Sequence, residues 1–266
     1  MTRLKSEWIK DIKNNLFDFE KDLFEKTGCS LKELSSLANE ITIAKIDESA
    51  SNFKVAVIPI TAGQGITPFF SESVAAIINH LGFDTFITEK KDVDGIYEAY
   101  KEEATCIFLA DDNRFIGINT KNSLYVDNVK ATAKGYVTLM EQACGGLYGK
   151  EILILGYGKL GRKIFSLLEE KGAISIIYDK DTLVFAGLDK RIILTNTEQI
   201  GDYPLIFDAT DEGYWMEEEM IYNSTFIASP GRPLSMGEEL FGRYKDRIIH
   251  DLLQIGVAVM IGELSR

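Results

Sequence analysis

One segment constrains the fold more than any other. Glu151-Ile152-Leu153-Ile154-Leu155-Gly156-Tyr157-Gly158-Lys159-Leu160-Gly161-Arg162 is an apolar run ending in three glycines spaced G-x-G-x-x-G. Such triplets arise by chance in loops, so the spacing alone decides little. Its surroundings decide more, because an apolar strand precedes the turn and an amphipathic stretch over 159–171 follows it. Each glycine then has its own task. Gly156 permits the tight turn, Gly158 lets backbone approach a pyrophosphate, and Gly161 lets the helix pack closely on the strand. The helix N-terminus adds amides and a favourable dipole, so Gly156, Tyr157, Gly158, Lys159, Leu160 and Gly161 are the expected cofactor-binding set.

The next strand, 174–178, ends at Asp179, an acid about 20 residues beyond the loop, as a ribose-binding carboxylate requires. A 2′-phosphate would be repelled there, so NAD is expected rather than NADP, although Lys180 adds a positive neighbour. Ligands collect at the carboxyl edge of open parallel sheets. Asp208-Ala209-Thr210 and Ser229-Pro230-Gly231 are therefore expected to face the same cofactor, through Ala209, Thr210, Ser229, Pro230 and Gly231. Ordinary strand-to-loop punctuation is the alternative.

Around this motif the chain alternates strands and helices. Apolar positions three or four apart predict an amphipathic helix over 4–26, and Ser30 with Glu33 predicts a capping box for a second helix over 31–40. Strands are expected at 55–60, 85–88 and 105–110, with helices at 70–81, 93–103 and 128–144. Further strands are expected at 151–156, 174–178, 191–195, 205–209, 225–228 and 247–250, with helices at 159–171, 216–221, 235–243 and 256–264. This rhythm predicts an α/β chain of two α/β domains. Residues 1–146 form a helical segment followed by a smaller N-terminal substrate domain with a parallel sheet, and 147–266 form a C-terminal Rossmann domain, with Gly145-Gly146 at the boundary.

Chemistry-bearing residues in the first half are few. The turn Thr61-Ala62-Gly63-Gln64-Gly65 either presents amides to a carboxylate or is a plain βα turn. Asp111 and Asp112 close a strand end and either grip an amine or cap the following segment as solvated acids. Neither His80 nor His250 has the setting of a catalytic base, so hydride transfer to a cofactor is the natural chemistry.

The 41 acidic and 29 basic side chains give a net charge of −12, which argues against nucleic acid and anionic membranes as partners. Three scattered cysteines suggest neither a metal site nor a disulfide, and Cys106, inside an apolar run, is expected as a core thiol. The N-terminus lacks a signal-peptide pattern, which makes the cytoplasm the expected location.

Several motifs outside the glycine loop are more specific. They are Val57-Ile58-Pro59-Ile60-Thr61 with Gly63 and Gly65, Leu81-Gly82-Phe83-Asp84-Thr85-Phe86, Leu109-Ala110-Asp111-Asp112, Ile206-Phe207-Asp208-Ala209-Thr210 and Ser229-Pro230-Gly231-Arg232-Pro233. Together with Gly156–Gly161 they make the chain resemble the pyrrolysine synthase (PylD) family almost end to end. The resemblance implies NAD-dependent oxidation of lysine carrying 3-methyl-D-ornithine on its side-chain nitrogen, with ammonia loss and ring closure. It also implies that Leu4 covers the site, that Thr61, Ala62, Gln64, Phe70, Asp111 and Asn128 line the substrate pocket, and that Asp111 engages the reacting amine. The chain differs from the family pattern at Ala62 and Gln64, where serine and asparagine are expected. A small-molecule substrate and a homodimer are the expected partners. A general amino-acid or opine-type dehydrogenase and a non-catalytic NAD-sensing module are the rival readings; against the latter, no basic DNA-binding element is visible.

Overall fold

A computed structural model describes residues 4–266. The chain forms two units. The first runs to Glu25, continues over Cys29–Gly135 and finishes with Leu252–Arg266, while the second takes Lys26–Gly28 and Tyr136–Asp251.

The first unit opens with α1 (Ser6–Ile9) and α2 (Ile12–Thr27), then α3 (Leu31–Asn39) and α4 (Ile43–Asn52). The single helix expected over 4–26 is thus broken at Lys10-Asp11. Ile9 and Ile12 are both buried and three apart, so the apolar period runs through the break and conceals it. The capping box is present: the Glu33 N–H donates to Ser30 Oγ, and Glu33 Oε2 accepts from the Ser30 N–H at 2.8 Å. β1 (Lys54–Ile58), α5 (Phe70–His80), β2 (Asp84–Ile87), α6 (Asp92–Lys101) and β3 (Cys106–Ala110) follow as βα units. Cys106 is fully buried, and burial pushes its thiol up to about 12.

The sheet departs from the expected parallel form. β4 (Phe115–Asn119) and β5 (Tyr125–Asp127) extend it antiparallel, in the order β2-β1-β3-β4-β5. β4 buries alternate residues and is only five long, which hides it beside the stronger βα rhythm. Then α7 (Asn128–Cys144) begins.

In the second unit β6 (Glu151–Leu155), α8 (Lys159–Glu170) and β7 (Ile174–Tyr178) form the βαβ element. β8 (Leu205–Asp208), β9 (Phe226–Ala228), α9 (Glu238–Tyr244) and β10 (Ile248–Ile249) complete the unit. All pairings in this sheet are parallel, in the order β10-β9-β8-β6-β7. Leu153, Leu155, Ile206 and Ile227 centre its core, with Met216 and Met236 packed on them. From β6 the chain goes to one neighbour, β7, and then returns to the other, β8. The carboxyl end of β6 is therefore a topological switch point, where open α/β sheets bind ligands.

Two expectations fail here. Residues 191–195 make a single bridge, Ile177 to Ile193, rather than a strand, because Asn196 turns the chain at once by accepting the Glu198 N–H at 3.0 Å. Residues 216–221 hold only a short 3-10 turn, Glu218–Met220.

The last helix, α10 (Gln254–Leu264), returns to the first unit rather than completing the second, so the expected division at residue 146 does not describe the chain. All its residues are buried, and a helix without a polar face needs cover on every side. It receives that cover from α3, α5, β4 and β5. A Cβ on Gly262 would lie 2.2 Å from Ser35 Oγ, so only glycine allows the approach to α3. There Ser35 Oγ donates to the Ala258 carbonyl at 2.6 Å and Asn39 Nδ2 to that of Val259 at 2.9 Å. Glu263 is buried but paired with Lys134 and Lys130 of α7 at 3.1 and 3.0 Å. Among the described residues no helix is long and apolar enough to cross a membrane.

Candidate functional site

The glycine turn takes the form its sequence predicts. Gly156 has φ +87°, donates its N–H to the Tyr178 carbonyl at 2.8 Å, and would put a Cβ 2.9 Å from the Ala209 carbonyl oxygen. A Cβ on Gly161 would lie 1.9 Å from the Gly156 oxygen, so α8 can begin this close to β6 only through glycine. At Gly158 a Cβ would meet nothing within 4 Å. The turn faces open space there, and Gly158 caps α8 without a side chain. Lys159 opens the helix exposed, Leu160 is half-buried, and the Tyr157 ring is buried against Phe165 and beneath Arg162. What the turn offers outward is backbone, which suits a pyrophosphate.

Asp179 holds this turn in place. Its Oδ2 accepts the Tyr157 N–H at 2.6 Å and its Oδ1 accepts the Asp181 N–H at 2.9 Å. A carboxylate has about four acceptor positions, so two remain for ribose hydroxyls. The open turn and the adjacent half-buried acid fit a dinucleotide.

The next two strand ends are tied to each other through Asp208. Asp208 is completely buried and accepts from the Thr210 hydroxyl (2.6 Å) and amide (3.3 Å), and from the hydroxyls of Ser229 (2.8 Å) and Ser235 (2.6 Å). The Thr210 and Ser229 hydroxyls thus turn inward, and Ser229, Pro230 and Gly231 are buried rather than lining open space. Gly231 donates its N–H to the Asp208 carbonyl at 2.9 Å, zipping the two loops together. Ala209 and Thr210 remain half-buried beside the glycine turn.

Behind these loops lies a network that sequence reasoning missed. Arg232 Nη1 meets the His250 ring, whose Nδ1 lies 2.8 Å from the Ser229 carbonyl. Donation from Nδ1 leaves Nε2 to accept from Arg232. Burial, then the Arg232 cation, pushes His250 down to about 3, so the ring is neutral. Arg232 Nη2 is 3.9 Å from Asp251, which also accepts the Tyr136 hydroxyl at 2.6 Å. Burial lowers the Arg232 pKa as well. Arg232 stands in the quoted Ser-Pro-Gly-Arg-Pro motif, but nothing local in a sequence announces a buried arginine.

In the first unit the ends of β1, β2, β3 and β5 share one edge with the start of β4. Most substrate candidates collect there. Thr61 donates its N–H at 2.7 Å, and its hydroxyl, to Asp92, lowering that carboxyl's pKa. The Gln64 N–H donates to Asp112 Oδ2 at 2.7 Å, and a Cβ on Gly63 (φ +73°) would collide with the same oxygen. The amides expected to hold a ligand carboxylate at Thr61 and Gln64 are thus bound by the protein's own acids. No local pattern points to Asp92, which meets Thr61 from 31 residues away.

Asp111 Oδ1 accepts the N–H groups of Asn113 and Arg114, both at 2.8 Å, fixing the carboxylate at the tip of the β3–β4 hairpin. Phe70 packs edge-on against Phe115, 5.2 Å between centroids, at the start of β4. Asn128 faces α10, with Nδ2 3.4 Å from Met260 Sδ. Leu4 lines a cavity of about 430 Å³ with Lys5, Ser6, Glu7, Thr67 and Pro68, close in sequence to the turn and to Phe70.

Comparison with known proteins adds to this geometry. Residues 9–126 match the family model described as pyrrolysine biosynthesis protein PylD, N-terminal domain. The pyrrolysine synthase of Methanosarcina acetivorans is 33% identical over 247 residues, covering 89% of this chain and 95% of that protein. That of Methanosarcina barkeri is 30% identical over 240 residues, covering 89% and 91%. Among solved structures, a chorismate mutase/shikimate 5-dehydrogenase fusion protein from Clostridium acetobutylicum matches with TM-score 0.51 and 9% identity, covering 80% of this chain and 90% of that one. At that identity the likeness is one of fold.

Proposed function

The chain belongs to the pyrrolysine synthase family, and from that premise we propose that it performs the NAD-dependent, ring-forming last step of pyrrolysine biosynthesis. The substrate is lysine joined through its side-chain nitrogen to 3-methyl-D-ornithine. When bound, NAD supplies the oxidation by taking a hydride from the carbon that bears the ornithine terminal amine. The oxidised carbon loses its nitrogen as ammonia and is joined to the ornithine α-amine, and the new C=N bond closes the pyrroline ring.

The observation carrying this proposal is the β6–α8 turn with Asp179 beside it. Gly156–Gly161 hold the pyrophosphate by backbone, and Asp179 accepts the ribose hydroxyls while disfavouring a 2′-phosphate. Ala209 and Thr210 border the same crevice. The first unit supplies the substrate groups. Asp111, fixed through Oδ1, offers Oδ2 to the reacting ammonium and takes its proton as the amine is oxidised. The Thr61–Asp92 and Gln64–Asp112 bonds stiffen the neighbouring turn, whose exposed Ala62 contacts substrate together with Phe70 and Asn128. Leu4, on the lead-in to α1, covers it.

Incubating the full chain with NAD and the lysine–methylornithine isopeptide tests this directly. NADH, ammonia and cyclised product are expected in equal amounts. Turnover of a simple amino acid with none of the isopeptide would overturn it, as would NAD binding with no NADH formed.

A further inference from the structure

Lys180 immediately follows Asp179 at the carboxyl end of β7, and Glu212 lies four residues beyond the end of β8. β7 and β8 flank β6 on opposite sides. Lys180 Nζ nevertheless meets Glu212 Oε2 at 2.5 Å, so the ion pair reaches across the end of β6, above the strand that feeds the glycine turn. Both side chains are exposed, 69% and 54%, so the pair lies at the mouth of the crevice and not in the core.

That position matters because of what a lone lysine there would do. A cation next to the ribose acid is the charge that would receive a 2′-phosphate, offsetting the repulsion from Asp179. We propose that Glu212 is a specificity-determining residue. By pairing Lys180 it withholds that cation from a 2′-phosphate, so the choice of NAD over NADP rests on Glu212 as well as on Asp179. This deepens the dinucleotide reading given above and rests on it. The charges around Lys180 agree: the Glu212 hydrogen bond, then the Glu212, Asp211 and Asp179 charges, all favour its protonated form. The acids bind a cation already committed to Glu212, leaving a net negative rim.

Titrating the full chain with NAD and, separately, NADP tests the proposal without any turnover. Glu212→Gln keeps the size of the side chain and removes its charge. It is expected to tighten NADP about fivefold, the upper range for an exposed charge pair, while NAD affinity changes less than about twofold. Adding Lys180→Gln to that variant is expected to abolish the gain, because the freed lysine is what binds the phosphate. An unchanged NADP-to-NAD ratio in Glu212→Gln overturns the proposal. So does a gain that survives Lys180→Gln, which would mean that Glu212 acts by direct repulsion. If the unmodified chain binds NADP as tightly as NAD, the pair does not discriminate. If it binds neither, the cofactor reading itself falls, and this role falls with it.

Discussion

The two sheets present opposite kinds of surface at their carboxyl edges. In the second unit polar side chains turn inward: Asp208 is saturated by Thr210, Ser229 and Ser235, and Arg232 is buried with His250 and Asp251. What remains at the turn is backbone with Asp179 beside it, rimmed by Lys159 and the Lys180–Glu212 pair. In the first unit the acids face the edge and hold two backbone donors of the turn, Thr61 by Asp92 and Gln64 by Asp112. A cofactor of fixed chemistry can be gripped by main chain held rigidly from behind. A particular amine substrate needs side chains in front. The same βα architecture can thus place its polar groups as frame or as contact.

Breaking the frame has the largest expected effect. Arg232→Met takes the guanidinium away from buried Asp251 and His250 and should cost the second unit about 3–5 kcal/mol. Denaturant unfolding measures it, and a loss below about 1 kcal/mol would mean that the network is not a frame. Removing a contact group spares the fold instead. Asp111→Asn keeps an oxygen for the Asn113 and Arg114 amides, so turnover should fall roughly a hundredfold or more while stability and NAD affinity hold. Equal losses in kcat and NAD affinity would place Asp111 in the frame.

The smallest effect is a pH slope. His250 has a pKa of about 3 in the folded chain against the ordinary 6.5. The unfolded chain therefore binds the proton better between those values. Stability from this group is whole above about 6.5 and is lost as pH falls toward 3. His250→Gln should flatten the decline in unfolding free energy between pH 7 and 5 relative to the unmodified chain. An identical slope in both would remove His250 from the network's energetics.

Much of the second unit was readable from its residues because each glycine of the turn has a separate backbone task at a fixed spacing. The capping box and the core position of Cys106 were readable for the same reason, being local. The antiparallel strands were not, since β4 is short and lies amid a strong βα pattern. The return of α10 was not either. A helix apolar on every side announces that it is buried but not which sheet buries it. Asp92 and Arg232 stayed hidden because their partners come from distant segments. The motif residues Ser229, Pro230 and Gly231 were visible, yet which way they faced depended on Asp208 beneath them.

The glycine turn and Asp179 are expected to hold NAD, and titration calorimetry reads that directly. The unmodified chain is expected to bind one NAD per chain. Asp179→Ala, which removes charge-assisted hydrogen bonds worth roughly 1.5–3 kcal/mol, is expected to weaken it about ten- to a hundredfold. No heat of binding from the unmodified chain, or equal affinity in the variant, would contradict that role.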